Sequence, residues 1–336
     1  MSIGTQDLYR FAWKHVHRLP SRLGYGLSAL GADAAWALHR LRGGDKGVGQ
    51  LEKNLARVLP AETTAREIRR ASRAGMRSYM RYFYEAFALP GMSLEQIRAR
   101  VRPDIDPRAH TDLDRGSIVI ALPHMGNWDL AGAWASQELA QVLTVAERLE
   151  PADLFEQFVT FREGLGMRVI GQGRGEKVFD RLVDATTQGH YVVALLADRD
   201  LSSSGIRTEL CGYPARAAAG PAALAERLDL PLYVASLHYE RLNGERRRRA
   251  GSPWGIVLTI QPVDAPAGLS GREKITAWTR AWTAAVSPYL REHASDWHML
   301  QAVFEADLDP ERLARRHAAE AAAPLTTGDS EQEPQP

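Results

Sequence analysis

The sequence predicts a single α/β domain, a mostly parallel central sheet flanked by helices, with an N-terminal helical segment suited to a membrane surface. Three observations carry this reading. From about residue 117, short apolar, β-branched runs alternate with helical periods, the signature of βαβ units. The 336 residues are 45% hydrophobic and 25% charged, enough for one large core. No internal repeat divides the chain, and composition shifts only near its ends. Residues 1–50 read as an N-terminal amphipathic helical segment, 51–310 as the α/β domain, and 311–336 as a helical end with an acidic tail.

In chain order, Leu8, Phe11, Ala12, His15 and Leu19 recur at helical spacing among Arg10, Lys14, His17 and Arg18. Such a basic helix, carrying Tyr9 and Trp13, either lies in the headgroup region of an anionic leaflet or packs on the domain. A second helical stretch carries Leu23, Leu27, Leu30 and Trp36, and residues 63–88 form a third, ending in an aromatic cluster. Strands follow at 117–122, 142–147, 167–170, 191–197, 232–239 and 255–260. Helices are expected from about Trp128 and over 153–164, up to Gln188, 219–228 and 272–291. The run ERRRRA (245–250), between two strands, reads as a solvated hairpin tip rather than a nucleic-acid contact. The last residues, acidic with Pro and Gly, have the composition of a disordered tail.

Composition also excludes several chemistries. The net charge is +1, and a single cysteine, Cys211, permits neither an intramolecular disulfide nor a multi-cysteine zinc site, and fits a reducing compartment. The ten histidines show no metal-ligand spacing, so no metal is expected. Neither a secretory signal nor a transmembrane span is predicted. The best candidate span, Leu23 to Leu41, is interrupted by Asp33 and His39 and falls short of the ~20 apolar residues a bilayer requires. G-x-S-x-G is absent. GQGRGEK (171–177) departs from G-x-G-x-x-G in spacing and lacks G-K-[ST], so it reads as a turn.

The most informative stretch is IALPHMGNWD. An apolar strand runs into Pro123-His124, then Gly126-Asn127, and a helix opens near Trp128-Asp129. Ligands of α/β sheets gather beyond the carboxyl ends of strands, which is where His124 is placed. Imidazole, titrating near ~6.5, is suited to taking a proton from a hydroxyl. If Gly126 allows a tight turn, Asp129 faces back and holds the other ring nitrogen of His124. By itself H-x4-D is a weak signal, since an Asp there also complements the helix N-terminus.

These residues resemble the lysophospholipid acyltransferase superfamily, whose signature is H-x4-D. More narrowly, the chain is similar to the branch of bacterial lipid A acyltransferases and actinobacterial phosphatidylinositol mannoside acyltransferases, the latter being the closer match. KNLARVLP (53–60), RSYMRYFYEAFALP (77–90), ALPHMGNWDLAGAW (121–134), TVAERLEP (144–151), FREGLG (161–166), ADRDLSSSG (197–205), AGPAALA (219–225) and DWHMLQ (296–301) carry the likeness in order. The resemblance implies transfer of a palmitoyl-type chain from acyl-CoA, as co-substrate, to a mannose hydroxyl of a phosphatidylinositol mannoside, on the cytoplasmic face of the cell membrane. It implies no cofactor. It makes Arg162 similar to an arginine near the acyl-CoA site, and puts Ser204 and Arg227 near further acyl-CoA contacts. Asp198 falls where the mannoside enzymes carry a catalytic Glu, one methylene longer. Cys211 falls where an aromatic is expected, and reads as a buried structural thiol. The expected reaction is a direct transfer in a ternary complex, with His124 as base, Asp129 orienting it, and the oxyanion met by N–H groups near Gly126–Trp128 or by Arg162. A lysophospholipid, another glycolipid or a lipid A precursor is the alternative acceptor; a non-catalytic lipid-binding protein of the same fold is the alternative class.

Overall fold

Residues 19–148, 152–173, 178–200, 205–264 and 267–311, with Val16 and Ala314, are described in a computed structural model of the chain. Three helices lead: α1 (Ser21–Arg42), α2 (Val48–Val58) and α3 (Ala65–Ala88). Then come α4 (Leu94–Arg100), β1 (Val101–Ile105), α5 (Pro107–Arg115), β2 (Ile118–Leu122), α6 (Trp128–Glu138), β3 (Val142–Glu147), α7 (Ala152–Gly164), β4 (Arg168–Gln172), α8 (Val178–Thr187) and β5 (Val192–Leu196). A hairpin of β6 (Ile206–Leu210) and β7 (Tyr213–Ala217) precedes α9 (Gly220–Leu228), β8 (Leu232–Arg241), α10 (Gly244–Ala250), β9 (Trp254–Pro262) and α11 (Gly271–Glu292).

One seven-stranded sheet has the order β1-β9-β8-β2-β5-β3-β4. All its pairings are parallel except β8 with β9. This is the mostly parallel sheet that the alternating pattern predicts. Both faces are covered by helices, so β2 is buried at every residue and carries no polar side chain.

The differences from the sequence reading have local causes. Strand β1 contains Pro103 and Asp104 and is largely exposed, which hides its period; it sits at the sheet edge, where a missing N–H is tolerated. Helix α4 is only seven residues long, opened by a Ser93–Gln96 capping box rather than by an apolar period. ERRRRA is not an open hairpin tip but the helix α10, stopped by Gly251 at φ 58°. Cys211 and Gly212 both have positive φ (52° and 81°) and form the two-residue turn joining β6 to β7. The Cys211 thiol is buried there, and burial pushes its pKa up.

Helix α1 has two unlike faces. Inward, Asp33 takes both Arg73 and Arg77 of α3, Trp36 donates to Ser72, and Ala32 is buried. Outward, Leu23, Leu27, Leu30, Leu38 and Leu41 are all exposed, Leu41 by 85%. Among the described residues no helix is long and apolar enough to cross a membrane. The basic period over residues 8–19 lies outside the described residues except for Val16 and Leu19, as do most of residues 312–336.

Candidate active site

The site begins with sheet register. Leu122 of β2 is paired with Leu196 of β5, so the residues two positions beyond each, His124 and Asp198, emerge side by side at the carboxyl ends of adjacent parallel strands. The His124 ring Nδ1 lies 2.6 Å from Asp198 Oδ1, and the His124 backbone N–H donates to Oδ2 at 3.0 Å. Trp297 donates its indole N–H to the same Oδ2 at 2.7 Å. The carboxylate is fully buried, whereas the imidazole is 35% exposed and faces outward. Burial works against ionisation of Asp198, but His124 and the N–H donors outweigh it and hold its pKa below the ordinary carboxylate range.

The turn is built to present this ring. Gly126 has φ 62°, and a Cβ there would stand 2.7 Å from Leu237 Cβ and 2.9 Å from its carbonyl oxygen, so no side chain fits. Asn127 caps α6 by accepting from the Leu130 N–H at 2.9 Å. From across the fold, the segment after α11 clamps the turn. Gly126 N–H donates to the Asp296 carbonyl, His298 N–H donates to the His124 carbonyl at 2.8 Å, and Met125 bridges Trp297.

The structure corrects the expected partner of His124. Asp129 stands in the first turn of α6, where its Oδ1 accepts from Arg162 Nε at 2.7 Å and its Oδ2 from the Tyr82 hydroxyl at 2.8 Å. Asp198, 74 residues away in sequence, takes the place foreseen for Asp129 at the ring nitrogen. The reason is geometric: a strand-end residue leaves along the sheet, whereas the first turn of α6 has already rotated Asp129 towards α7. Asp129 is 1% exposed and Arg162 14%. Burial pushes the Tyr82 hydroxyl pKa up, reinforced by Asp129, so it remains a donor.

Asp129 and Arg162 stand at an apolar slot between α6 and one face of the sheet, lined by Leu122, Ala194, Leu196, Trp128 and Ala131. Trp128, one of the residues lining the slot, also meets the His124 ring edge-on at 5.9 Å between centroids. The other expected contacts are not gathered here. Ser204 lies outside the described residues. Arg227 is exposed near the end of α9, which runs back towards Leu232, the partner of Val119 near the start of β2. It therefore lies at the far end of the sheet from His124. Among the described residues no cluster of three His, Cys, Asp or Glu side chains is arranged to hold a metal.

Sequence reasoning missed Trp297 and His298, whose only signal was their place in DWHMLQ. Burial lowers the pKa of His298 to about 3, and of His238, stacked on His293 at 3.6 Å, to about 4. Each folded value lies below the unfolded ~6.5, so the unfolded chain binds more protons between them. Their contribution to stability is complete above about pH 6.5 and is lost as pH falls towards 3. Asp198 adds to the loss only as pH drops below its unfolded 3.8. Urea melts across pH 4–7 are expected to show a shallower acid slope for His298→Gln than for wild type; parallel curves would exclude His298 as a contributor.

A model of the bacterial lipid A biosynthesis acyltransferase family matches residues 2–305. A phosphatidylinositol mannoside acyltransferase of Mycolicibacterium smegmatis is 35% identical over 313 residues, 91% of this chain and 93% of its own. One of the same name from Mycobacterium tuberculosis is 32% identical over 316 residues, 93% of this chain and 92% of its own. The family match spans the strand-end histidine, Asp198 just beyond β5 and the clamp at 296–298, and the chain belongs to the bacterial lipid A biosynthesis acyltransferase family.

Proposed function

We propose that this acyltransferase moves a palmitoyl-type chain from acyl-CoA to a mannose hydroxyl of a phosphatidylinositol mannoside, working on a membrane surface at its cytoplasmic side. The observation that carries the chemistry is the His124–Asp198 pair at adjacent strand ends, with Trp128 touching the imidazole and lining an apolar slot. The names of the relatives carry the acceptor.

With Nδ1–H donated to Asp198, the lone pair of His124 is on Nε2, at the exposed edge of the ring. Nε2 takes the proton of the acceptor hydroxyl as its oxygen bonds to the thioester carbonyl carbon. The imidazolium is stabilised by Asp198. When the tetrahedral intermediate collapses, the C–S bond breaks and the departing CoA thiolate takes the proton from the imidazolium. The Gly126 N–H is already engaged with Asp296, and Arg162 with Asp129. The oxyanion is therefore assigned to the first-turn N–H groups of α6 at Trp128 and Asp129, which have no intrahelical acceptor. The slot beside Trp128, about 80 Å³ in volume, takes the first few methylenes of the acyl chain, each enclosed CH₂ contributing ~0.8 kcal/mol. Asp129 and Arg162 form a wall of that slot rather than part of the proton relay.

Release of CoA thiol from palmitoyl-CoA, measured with and without purified mannolipid, tests this. Wild type should release thiol in an acceptor-dependent way, and His124→Ala should be slower by about a thousandfold. Equal rates in the two proteins would sink the mechanism. A lipid A-like acceptor is the second reading, favoured by the family match, and parallel assays with both acceptors separate the two.

The leucine stripe of α1 supports docking on the bilayer. Each half-exposed leucine buried in the interface adds roughly 1 kcal/mol. Leu27→Ser with Leu30→Ser should therefore weaken binding to phosphatidylglycerol vesicles by about tenfold or more, with activity on detergent-dispersed acceptor retained. Unchanged vesicle binding would return α1 to a purely structural role.

A further inference from the structure

Glu85, near the end of α3, is 1% exposed, and Arg100, its ion-pair partner, is fully buried. The Glu85 carboxylate is a meeting point of distant elements. Oε1 accepts from Arg100 and from the hydroxyl of Tyr25 in α1 at 2.6 Å. Oε2 accepts from the Asn127 amide at 2.8 Å and from the hydroxyl of Tyr239 in β8 at 3.0 Å. Arg100 is itself held by the Trp254 carbonyl. Burial, with Glu85 alongside, pushes both phenols up and keeps them donors.

A buried ion pair adds little net stability over an apolar pair of similar volume, so its consequence here is sought in geometry. That geometry leads to the catalytic turn. Asn127 is fully buried and sits three residues after His124. Its side-chain oxygen caps α6 through Leu130, and its side-chain nitrogen has Glu85 as its partner. A carboxylate fixed by donors from α1, α4 and β8 thus sets the rotamer of the cap, the start of α6, and with them the path of residues 124–127.

We propose that Glu85 is a positioning residue of the transfer reaction, acting through Asn127 on the placement of His124. This rests on His124 serving as the base. Asn127→Ser is the informative change, because serine still caps α6 but offers Glu85 no amide N–H. We expect kcat to fall about tenfold, with KM for palmitoyl-CoA near wild type and the melting temperature within a few degrees, because a small displacement of a reacting group acts on turnover. Glu85→Gln should also lower kcat, yet add little in the Asn127→Ser background, since both remove the same contact. If Glu85→Gln does not fold, Tyr239→Phe, which takes the other donor from Oε2, completes the cycle with the same non-additivity expected. Folded Asn127→Ser with kcat within twofold of wild type, or strictly additive losses in the cycle, overturns the proposal. Failure of the base assignment has a separate mark: His124→Ala would then turn over as fast as wild type.

Discussion

Asp198→Asn is expected to lower kcat by about ten thousandfold while leaving the protein folded. The size follows from the hydrogen-bond inventory. Two carboxylate oxygens accept from three donors: the His124 ring, the His124 backbone N–H and the Trp297 indole. An amide has one acceptor oxygen. If that oxygen stays with the backbone and indole donors, the amide nitrogen faces Nδ1, which must then become an acceptor. The ring proton moves to Nε2, and the base is lost in the ground state. Steady-state CoA release with a thermal melt on the same sample checks this. Turnover near wild type in a folded Asp198→Asn protein would mean that Asp198 does not set the tautomer.

The second large effect falls on the other carboxylate, and on stability instead of proton transfer. Asp129→Ala leaves the largely buried Arg162 without its counter-charge and the Tyr82 hydroxyl without its acceptor. Burial alone would lower the pKa of Arg162, and Asp129 is what holds it above the ordinary arginine value. Removing one member of such a pair costs about 3–5 kcal/mol. Asp129→Leu combined with Arg162→Met is expected to recover much of the loss, because an apolar pair of similar volume carries no desolvation cost. Urea midpoints at unchanged m-value provide the measurement. A loss below about 1 kcal/mol for Asp129→Ala would show that the pair is solvated and that the wall of the slot is open.

These two expectations separate what the H-x4-D signature merges. The motif places His124 and Asp129 on one turn, and the natural inference from six contiguous positions is that they touch. They are held by different partners. His124 belongs to a sheet-end cluster with Asp198 and Trp297, and Asp129 to an inter-helix cluster with Arg162 and Tyr82. Arg162, which the resemblance attaches to the acyl-CoA site, is found beside the apolar slot but with its Nε committed to Asp129.

The α/β class, the strand–turn–helix around His124, the buried thiol at Cys211 and the family are all legible in the chain alone. Those features are written in local periodicity, turn chemistry and ordered motifs, all readable without knowing which strands are neighbours. The edge strand β1 and the β6–β7 hairpin escaped, because Pro103 interrupts one period and the Cys211–Gly212 turn lacks the usual Asn-Gly or Asp-Gly signal. Which carboxylate serves the imidazole is settled by the folded arrangement of the strands. That choice depends on β5 lying next to β2 in a register that pairs Leu122 with Leu196, and on the segment after α11 delivering Trp297 from 173 residues beyond His124. Contacts of that kind are set by strand order and packing, for which neighbouring residues in the chain carry no local signal.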